Sequence, residues 1–290
     1  MISTRQLRTR IRSVKNTRQI TKAMQLVAAS KMRRAQEATQ LTRNYAEVAR
    51  ELLTYLSSLV DTRRDPLYAK RPLKNRLIIL ITADRGMAGA YNANLLKQYV
   101  ELLRQDAKRG VTNTTITIGR KGSHFVARLE NVESLGAYHD FPERPTGSEL
   151  KPIIATLVAM FKQGQADAVD VIYTKFAGGL NSCPVTQPLL PAGFEPSAKV
   201  GEDIRHSGFE PSARAVLRGA TVRLVEAQLF QALLDANAAE QSMRVIAMQN
   251  ATDNASDLID DLTLEMNKSR QAAITQELAE ISGGAEAMKV

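Results

Sequence analysis

The sequence predicts an α/β protein with two long terminal helices and a conventional central domain between them in the sequence. The two helices are predicted to form an antiparallel, left-handed coiled coil. Neither glycine nor proline occurs in residues 1–65 or 220–282, so each end can form one uninterrupted helix. Between them, short apolar segments alternate with helical patterns, which is typical of a mostly parallel sheet. We expect a coiled-coil helix over 1–65, an α/β domain over 74–208 and a second coiled-coil helix over 209–290.

Small and apolar side chains recur along the first helix at alternating steps of three and four residues. This 3.5-residue period predicts a left-handed supercoil, and the many alanines predict a close partner helix. The steps from Val14 to Thr17 and Thr21 would insert an extra three residues and overwind the coil. From periodicity alone, an ordinary amphipathic helix in a bundle is the alternative. The predicted seam positions are Leu7, Ile11, Val14, Thr17, Thr21, Met24, Ala28, Lys31, Ala35, Ala38, Thr42, Tyr45, Ala49, Leu52, Leu56 and Leu59.

The second helix is expected to begin after Pro211, because proline suits a first helical turn. Its apolar stripe is less regular. Residues 220–282 carry a net charge of −6, whereas residues 1–36 carry ten bases and no acid, so the two helices match as an antiparallel pair. At ~1.5 Å per residue the helices span roughly 85 and 105 Å, so the C-terminal tip should overhang as a single exposed helix. The apolar positions are Val225, Leu229, Ala236, Met243, Ile246, Leu258, Leu262, Ile274, Leu278 and Ile281.

The central segment is divided into predicted strands and helices by turn-forming residues. A hexapeptide, GFEPSA, occurs at Gly193–Ala198 and again at Gly208–Ala213, which we interpret as a local duplication. The predicted strands are Leu77–Ala83, Thr114–Ile118, Val169–Thr174 and Val185–Leu190, and the predicted helices are Asn92–Arg109, Lys121–Leu129 and Ser148–Gly164.

The sequence offers weak signals for chemistry. The turn Asp84–Asn92 follows a strand and could present amides to phosphate, but it lacks a phosphate-loop motif, and Gly119–Gly122 is a weaker signal still. A nucleotide-binding enzyme is therefore one rival interpretation. The adjacent acids Asp260 and Asp261 point in different directions on a helix, and the single Cys183 cannot form an internal disulfide. The three histidines, at 124, 139 and 206, are too scattered for a metal site or a catalytic triad. We expect no catalytic, cofactor-binding or metal-binding residue.

The net charge of +9 is concentrated at the N-terminus. Arg8, Arg12, Lys15 and Lys22 fall on one helical face and could follow phosphates, so a basic-helix nucleic-acid-binding protein is the second rival interpretation. The acidic second helix could pair with this basic face in place of a nucleic acid. The longest apolar run is too short to span a membrane, and a reducing compartment fits the cysteine usage. An Arg-rich start is also typical of a mitochondrial targeting peptide, but the helical pattern continues through it.

Several segments resemble one known family. Ile11–Gln36 and Arg270–Ala287 resemble the terminal helices of the gamma subunit of F-type ATP synthases, and Thr82–Asn92, Val171–Phe176 and Glu240–Ala255 are similar to its internal motifs. The resemblance covers the whole chain and implies a Rossmann-like central domain. Many relatives have a cysteine at the position of alanine 88, and the cysteine-bearing chloroplast insertion is missing. The lack of a presequence leads us to expect a bacterial protein.

The resemblance implies a rotary shaft that couples proton flow to ATP synthesis or hydrolysis, without a cofactor, a nucleic acid or a small-molecule substrate of its own. The implied partners are three alpha and three beta subunits, an epsilon subunit and the membrane rotor c-ring, at the cytoplasmic face of the bacterial inner membrane. Three residues would bind a beta-subunit loop, two others would serve coupling, and one more belongs to the same set of partner contacts. A top bearing and a basic belt complete the expected site. The loop contacts are Arg270, Gln271 and Thr275; the coupling residues are Met24 and Arg244; the further partner contact is Glu277; the bearing is Ile274, Leu278 and Ile281; the basic belt is Arg8, Arg12, Lys15 and Lys22.

Overall fold

The computed structural model describes residues 4–59, 65–142, 145–178, 181–192 and 212–287. Two long helices dominate it: α1 covers Thr4–Leu59, with 56 residues, and the last helix covers Ala213–Ala287, with 75. The backbone N–H of Ala215 donates to Ser212 Oγ at 3.3 Å, so a serine cap starts the last helix close to the predicted position. Pro211 and the GFEPSA repeats up to residue 211 lie outside the described residues.

The central elements follow the predicted order. The predicted strands and helices are all present, with ends shifted by a few residues, and the predicted helix at Ser148 begins with a 3-10 turn, Ser148–Leu150. Another 3-10 turn covers Pro66–Tyr68. In chain order the elements are β1 Asn75–Ile81, α2 Tyr91–Lys108, β2 Thr112–Ile118, α3 Arg120–Val126, β3 Glu133–Tyr138, α4 Lys151–Gln163, β4 Ala168–Gly178, β5 Asn181–Leu190 and α5 Ala213–Ala287.

The five strands form one sheet in the order β3-β2-β1-β4-β5. The pairs β3–β2, β2–β1 and β1–β4 are parallel, and β5 joins β4 antiparallel. Ile79 on the central strand pairs with Ile116 on one side and Val171 on the other. The predicted α/β class, with a mostly parallel sheet and long terminal helices, is confirmed.

The sheet separates two hydrophobic cores because successive side chains of a strand point to opposite faces. Leu77, Ile79 and Ile81 of β1 enter one core with buried residues of α4, whereas Ile78 and Leu80 enter the other with buried residues of α2. All five are at most 2% exposed. A strand covered on both faces reads as a continuous apolar run, which is why β1 was the clearest strand in the sequence.

Helix α5 contributes to both cores. Val225, Leu229 and Leu233 pack into the first, and Ala238 and Ala239 into the second. Because this segment is covered on more than one side, its apolar residues do not form a single stripe. The irregular pattern of the second helix in the sequence is thus explained by burial.

Two tyrosine hydroxyls join elements of the central domain to α5. The hydroxyl of Tyr91 donates to the carbonyl of Ala236 at 3.3 Å, and the hydroxyls of Tyr68 and Thr221 lie 2.8 Å apart. Burial raises the pKa of Tyr68 to about 12. These bonds fix the orientation of this part of α5 relative to the sheet.

Gly119 shows why the GRKG segment needs glycine. Its φ is +100°, and a Cβ there would lie 2.1 Å from the carbonyl oxygen of Thr82. The N–H of Gly122 donates to Thr82 Oγ1 at 2.8 Å. Close packing of α3 on the end of β1 therefore accounts for these glycines.

A buried ionic cluster connects three elements of the sheet layer. Arg76 of β1 contacts Asp106 of α2, with Nε 2.7 Å from Oδ2, and its Nη1 donates to Asp170 of β4. Asp106 is fully buried and Asp170 is 5% exposed. Burial raises the pKa of Asp170 above its usual value, although Arg76 opposes this shift.

The chain divides into two compact units. The α/β unit covers residues 29–243, and the helix-pair unit combines residues 1–28 with residues 244–290. The predicted boundaries at 65, 74 and 208 mark segments of the chain, and as domain limits they stay a prediction. Among the described residues, no helix combines the length and apolar character that a membrane crossing requires.

Candidate functional site

All the candidate site residues lie in the helix-pair unit. The unit consists of the start of α1, Thr4–Ala28, and the end of α5 from Arg244 onward. The two segments run antiparallel, since Thr21 contacts Thr252 while Gln25, one turn further along α1, contacts Gln249. This pairing confirms the predicted orientation of the two helices.

The seam of α1 follows an unbroken alternation of four and three residues. Thr17 is exposed and Arg18 is half-buried, so the seam passes through Arg18 and the extra step predicted at Thr17 is wrong. A long aliphatic stem can lie in a seam while its charged end reaches water, and apolarity alone therefore missed it. The buried and half-buried seam residues are Leu7, Ile11, Val14, Arg18, Thr21, Gln25 and Ala28.

The seam of α5 also follows this alternation. Leu258, predicted in the apolar stripe, is 46% exposed, and its neighbour Ile259 is 7% exposed. The small or polar residues Thr252 and Ala255 occupy the preceding seam positions, so an apolar search selects the wrong register. The seam residues are Met248, Thr252, Ala255, Ile259, Leu262 and Met266.

The seam changes character along its length. At one end Leu7 and Ile11 form a cluster with Ile259 and Leu262. Further along, the contacts are polar, and the seam tyrosine, leucine and alanine positions predicted beyond Thr42 have side chains outside the described set. The unit thus combines an apolar end with a polar middle.

The basic belt lies on one flank of α1. Arg8, Arg12, Lys15 and Lys22 are exposed, and each immediately follows a seam residue. The acids of α5 in this unit are also exposed, and within the described residues none of the four bases forms a direct ion pair. The predicted charge match between the helices is therefore not a set of direct salt bridges in the described chain.

Met24 and Arg244 are both half-buried. Met24 lies beside the seam, between Thr21 and Gln25, so its predicted seam position is only partly correct. Gln25 takes the seam position itself. Both coupling candidates are therefore partly accessible to a partner.

The C-terminal part of α5 is exposed. Every side chain from Arg270 to Ser282 is solvent-accessible, as the predicted overhang requires. The loop-contact candidates Arg270 and Gln271 and the partner-contact candidate Glu277 are among them. Thr275 Oγ1 donates to the carbonyl of Gln271 at 2.9 Å, so its hydroxyl offers lone pairs to a partner.

The bearing candidates form an exposed apolar stripe. Ile274, Leu278 and Ile281 are 49%, 61% and 69% exposed, at steps of four and three that place them on one helical face. If the four-and-three alternation of the α5 seam is continued beyond Met266, it reaches residues other than these three, and most of them are polar. The stripe is therefore not a continuation of the coiled-coil seam.

Sequence reasoning missed further exposed apolar residues in this unit. Ile20, Leu26 and Val27 of α1 are 56–62% exposed, and Leu264 of α5 is 58% exposed. Their signal was available, because each lies off the four-and-three alternation of the seam. Within the described chain, no group of three or more His, Cys, Asp or Glu side chains is placed to hold a metal ion.

Comparisons with known proteins agree with this architecture. The sequence model of the ATP synthase family matches residues 3–288. The ATP synthase gamma chain of Moorella thermoacetica is 40% identical over 289 residues, covering 100% of both chains. That of Acidithiobacillus ferrooxidans is 40% identical, covering 99% of this chain and 100% of its own.

A solved structure shares the fold. A chain of the Euglena gracilis mitochondrial ATP synthase, from an OSCP/F1/c-ring structure in rotational state 3, superposes with a TM-score of 0.67. It is 17% identical and covers 98% of this chain and 94% of its own. By its full-length match to the family model and to the bacterial relatives, the chain belongs to the ATP synthase gamma-chain family.

Proposed function

We propose that this chain is the central rotor shaft of a proton-translocating F-type ATP synthase and couples rotation to ATP synthesis or hydrolysis. Membership of the gamma-chain family makes it a component of that complex. One observation of the structure supports the shaft role most directly: exposed apolar side chains are concentrated on the helix-pair unit.

Among the described residues, ten large hydrophobic side chains are exposed, and eight of them lie in the helix-pair unit. They occur on both helices and on faces away from the seam. An exposed apolar surface of this extent marks a binding surface for another protein. A helix pair enclosed by partner subunits would have this surface, whereas a helix pair surrounded by water would not.

The exposed stripe of the C-terminal segment suits a bearing. Ile274, Leu278 and Ile281 can make dispersion contacts with an apolar sleeve, and such contacts have no preferred direction. A shaft can therefore turn against them without breaking specific bonds. Hydrogen bonds at the same place would give each orientation its own barrier.

Polar contacts belong to the loop-contact residues and the basic belt. Arg270 and Gln271 are exposed donors, and Lys15 is an exposed cation without an ion pair in the described chain. Such groups can bind beta-subunit loops in one shaft orientation and release them in the next. Because the helix pair is asymmetric, each of three catalytic sites would meet different contacts, which shifts their nucleotide affinities.

The shaft itself would be non-catalytic. Its partners would be three alpha and three beta subunits around the helix pair, together with epsilon and the c-ring. The complex would lie at the cytoplasmic face of the bacterial inner membrane, with this chain as a peripheral component.

Co-expression with alpha and beta subunits from one bacterial operon tests the proposal. We expect a complex with one copy of this chain per three alpha–beta pairs, and ATP hydrolysis by that complex. A chain that never joins alpha and beta would overturn the proposal and would return attention to nucleic acid, measured by salt-dependent gel retardation.

A further inference from the structure

A hydrogen-bonded bridge crosses the middle of the helix-pair seam. Lys22 Nζ of α1 donates to Gln25 Oε1 at 3.2 Å, and Gln25 Nε2 donates to Gln249 Oε1 of α5. Gln249 Nε2 donates to Asp253 at 2.9 Å from Oδ1 and 2.8 Å from Oδ2. Two amides thus connect a cation on one helix to a carboxylate on the other.

The bridge has a single polarity. Each glutamine accepts on the side of the lysine and donates on the side of the aspartate, which is the arrangement that both end charges favour. Aligned hydrogen bonds of this kind polarise and strengthen one another. The two charged ends are exposed and the two amides are half-buried, so the bridge spans the whole width of the seam.

A buried threonine pair lies one turn away. Thr21 and Thr252 are each 9% exposed, and their hydroxyl oxygens lie 2.8 Å apart. Thr252 Oγ1 is also 2.8 Å from the carbonyl oxygen of Met248, and Thr21 Oγ1 donates to the carbonyl of Arg18 at 3.0 Å. The threonine pair and the bridge together form one polar layer across the two helices.

The flanking seam contacts cannot define the register so sharply. Leu7, Ile11, Ile259 and Leu262 interact through non-directional apolar surface, and the four-and-three alternation repeats every seven residues. A slip of seven residues would still set seam positions against seam positions, so the alternation alone does not exclude it. It would also displace one helix along the other by about 10 Å.

The polar layer penalises such a slip. In a register shifted by seven residues, Thr21 would face Val245 or Ile259, and its hydroxyl would lose its cross-helix partner. Gln25 would likewise be separated from Gln249, leaving two half-buried amides with unmet hydrogen bonds. Polar residues at single seam positions select one register in coiled coils, at a cost in stability.

We propose that the layer of Lys22, Gln25, Gln249 and Asp253, with the Thr21–Thr252 pair, is a register lock that positions the coupling residues of the shaft. Met24 lies within the locked turn of α1, and Arg244 precedes the locked turn of α5 by five residues. A fixed register holds the faces of both helices in one arrangement. The coupling part of this inference rests on the proposed shaft function, whereas the register itself does not.

The first variant replaces both bridge amides with apolar side chains, Gln25→Leu with Gln249→Leu. Spin labels at exposed Ser13→Cys and Gln276→Cys, in a Cys183→Ser background, report the register of the full chain through their distance. The labels are offset along the helix axis, so a seven-residue slip changes their distance by nearly the full ~10 Å.

In the chain with the native bridge we expect a single spin-label distance. In the double variant we expect a second population, whose label distance differs by about 10 Å. The thermal midpoint of the double variant should equal or exceed that of the parent, because an apolar pair replaces a half-buried polar one. In the reconstituted complex, the ratio of proton pumping to ATP hydrolysis should fall at least twofold. The matched control is Gln40→Leu, the same change at an exposed position of α1. It should show a single spin-label distance and an unchanged ratio of proton pumping to ATP hydrolysis.

Charge exchange tests the polarity of the bridge. Lys22→Glu places acids at both ends and should broaden the distance distribution. Adding Asp253→Lys should restore a single distance, because both amides can rotate to reverse every bond. Failure of the exchange to restore it would contradict the polarised bridge.

Two other outcomes would overturn the inference. One is a single native distance in the Gln25→Leu/Gln249→Leu chain, and the other is a slipped register with an unchanged pumping ratio. If the native chain forms no ATP-hydrolysing complex, the proposed shaft function fails, while the distances in the free chain still decide whether the lock exists.

Discussion

Removing the guanidinium of Arg76 should be among the most damaging single changes in the α/β unit. Arg76→Met keeps an unbranched side chain of similar length but leaves Asp106 and Asp170 buried without their shared cation. Asp170, whose pKa is already raised by burial, is then expected to bind a proton. For an aspartate with a usual pKa of about 3.9, protonation at pH 7 costs about 4 kcal/mol.

We therefore expect a loss of about 4 kcal/mol in the free energy of unfolding at pH 7, within the ~3–5 kcal/mol typical of broken buried pairs. This corresponds to a drop of roughly 8–16 °C in the melting temperature. At pH 5 the same protonation costs only about 1.5 kcal/mol, so the loss should shrink as the pH falls.

The stability of the native chain should also rise as the pH falls, but by a smaller amount. Burial raises the pKa of Asp170, so the folded state binds this proton more tightly than the unfolded state. The stabilisation is fully present below the unfolded pKa and is lost as the pH rises through the folded pKa. Asp170→Asn should remove this part of the pH dependence.

Urea unfolding of the full chain at pH 7 and pH 5 provides the assay. Arg104→Met, an exposed arginine on α2, is the matched control and should change stability by less than about 0.5 kcal/mol. Neutralising both acids in Arg76→Met/Asp106→Asn/Asp170→Asn should recover much of the loss. A loss below 1 kcal/mol at pH 7, or an equal loss at both pH values, would refute the reasoning.

Three further predictions concern the turn at α3, the basic belt and the C-terminal stripe. Gly119→Ala should destabilise the chain by about 1–3 kcal/mol in urea unfolding, because its Cβ would meet the carbonyl of Thr82. Gly110→Ala has open space around its Cβ and should cost less. Equal losses in the two variants would contradict the close contact. Lys15→Glu should lower ATP-driven proton pumping by the assembled complex without changing the melting temperature, while the same change at exposed Lys97 on α2 should leave pumping unaltered. Serine at the three stripe positions, Ile274, Leu278 and Ile281, should leave the stability of the free chain unchanged. It should weaken binding to alpha–beta hexamers roughly 10- to 100-fold, measured by surface plasmon resonance, with Leu135→Ser as the control. Unaltered binding would refute the bearing.

The sequence was sufficient for the long helices and for most of the sheet. Uninterrupted helices follow from the absence of glycine and proline, and β1 is a continuous apolar run because both of its faces are covered. Strand β3, Glu133–Tyr138, was missed because it is a short edge strand with mostly exposed side chains. Its pairing with β2 is a tertiary contact that a local pattern does not contain.

The seam of the helix pair was predicted in period but not in every position. Arg18 and Gln25 take seam positions that an apolar search skips, and Leu258 is exposed although it is apolar. In each case the partner helix decides which face is covered. The hydrogen bonds of Gln25 also depend on a residue more than two hundred positions away, which no local pattern can show.

A rotor shaft turns inside its complex, and the single exposed cysteine of this chain allows a direct measurement of that rotation. Cys183 lies on β5 of the α/β unit and can carry a biotin-linked gold particle, while cysteine-free alpha and beta subunits are fixed to a glass surface. If the chain is the rotor shaft, the particle should rotate in one direction when ATP is added. A complex that hydrolyses ATP while the particle on Cys183 stays still would contradict it.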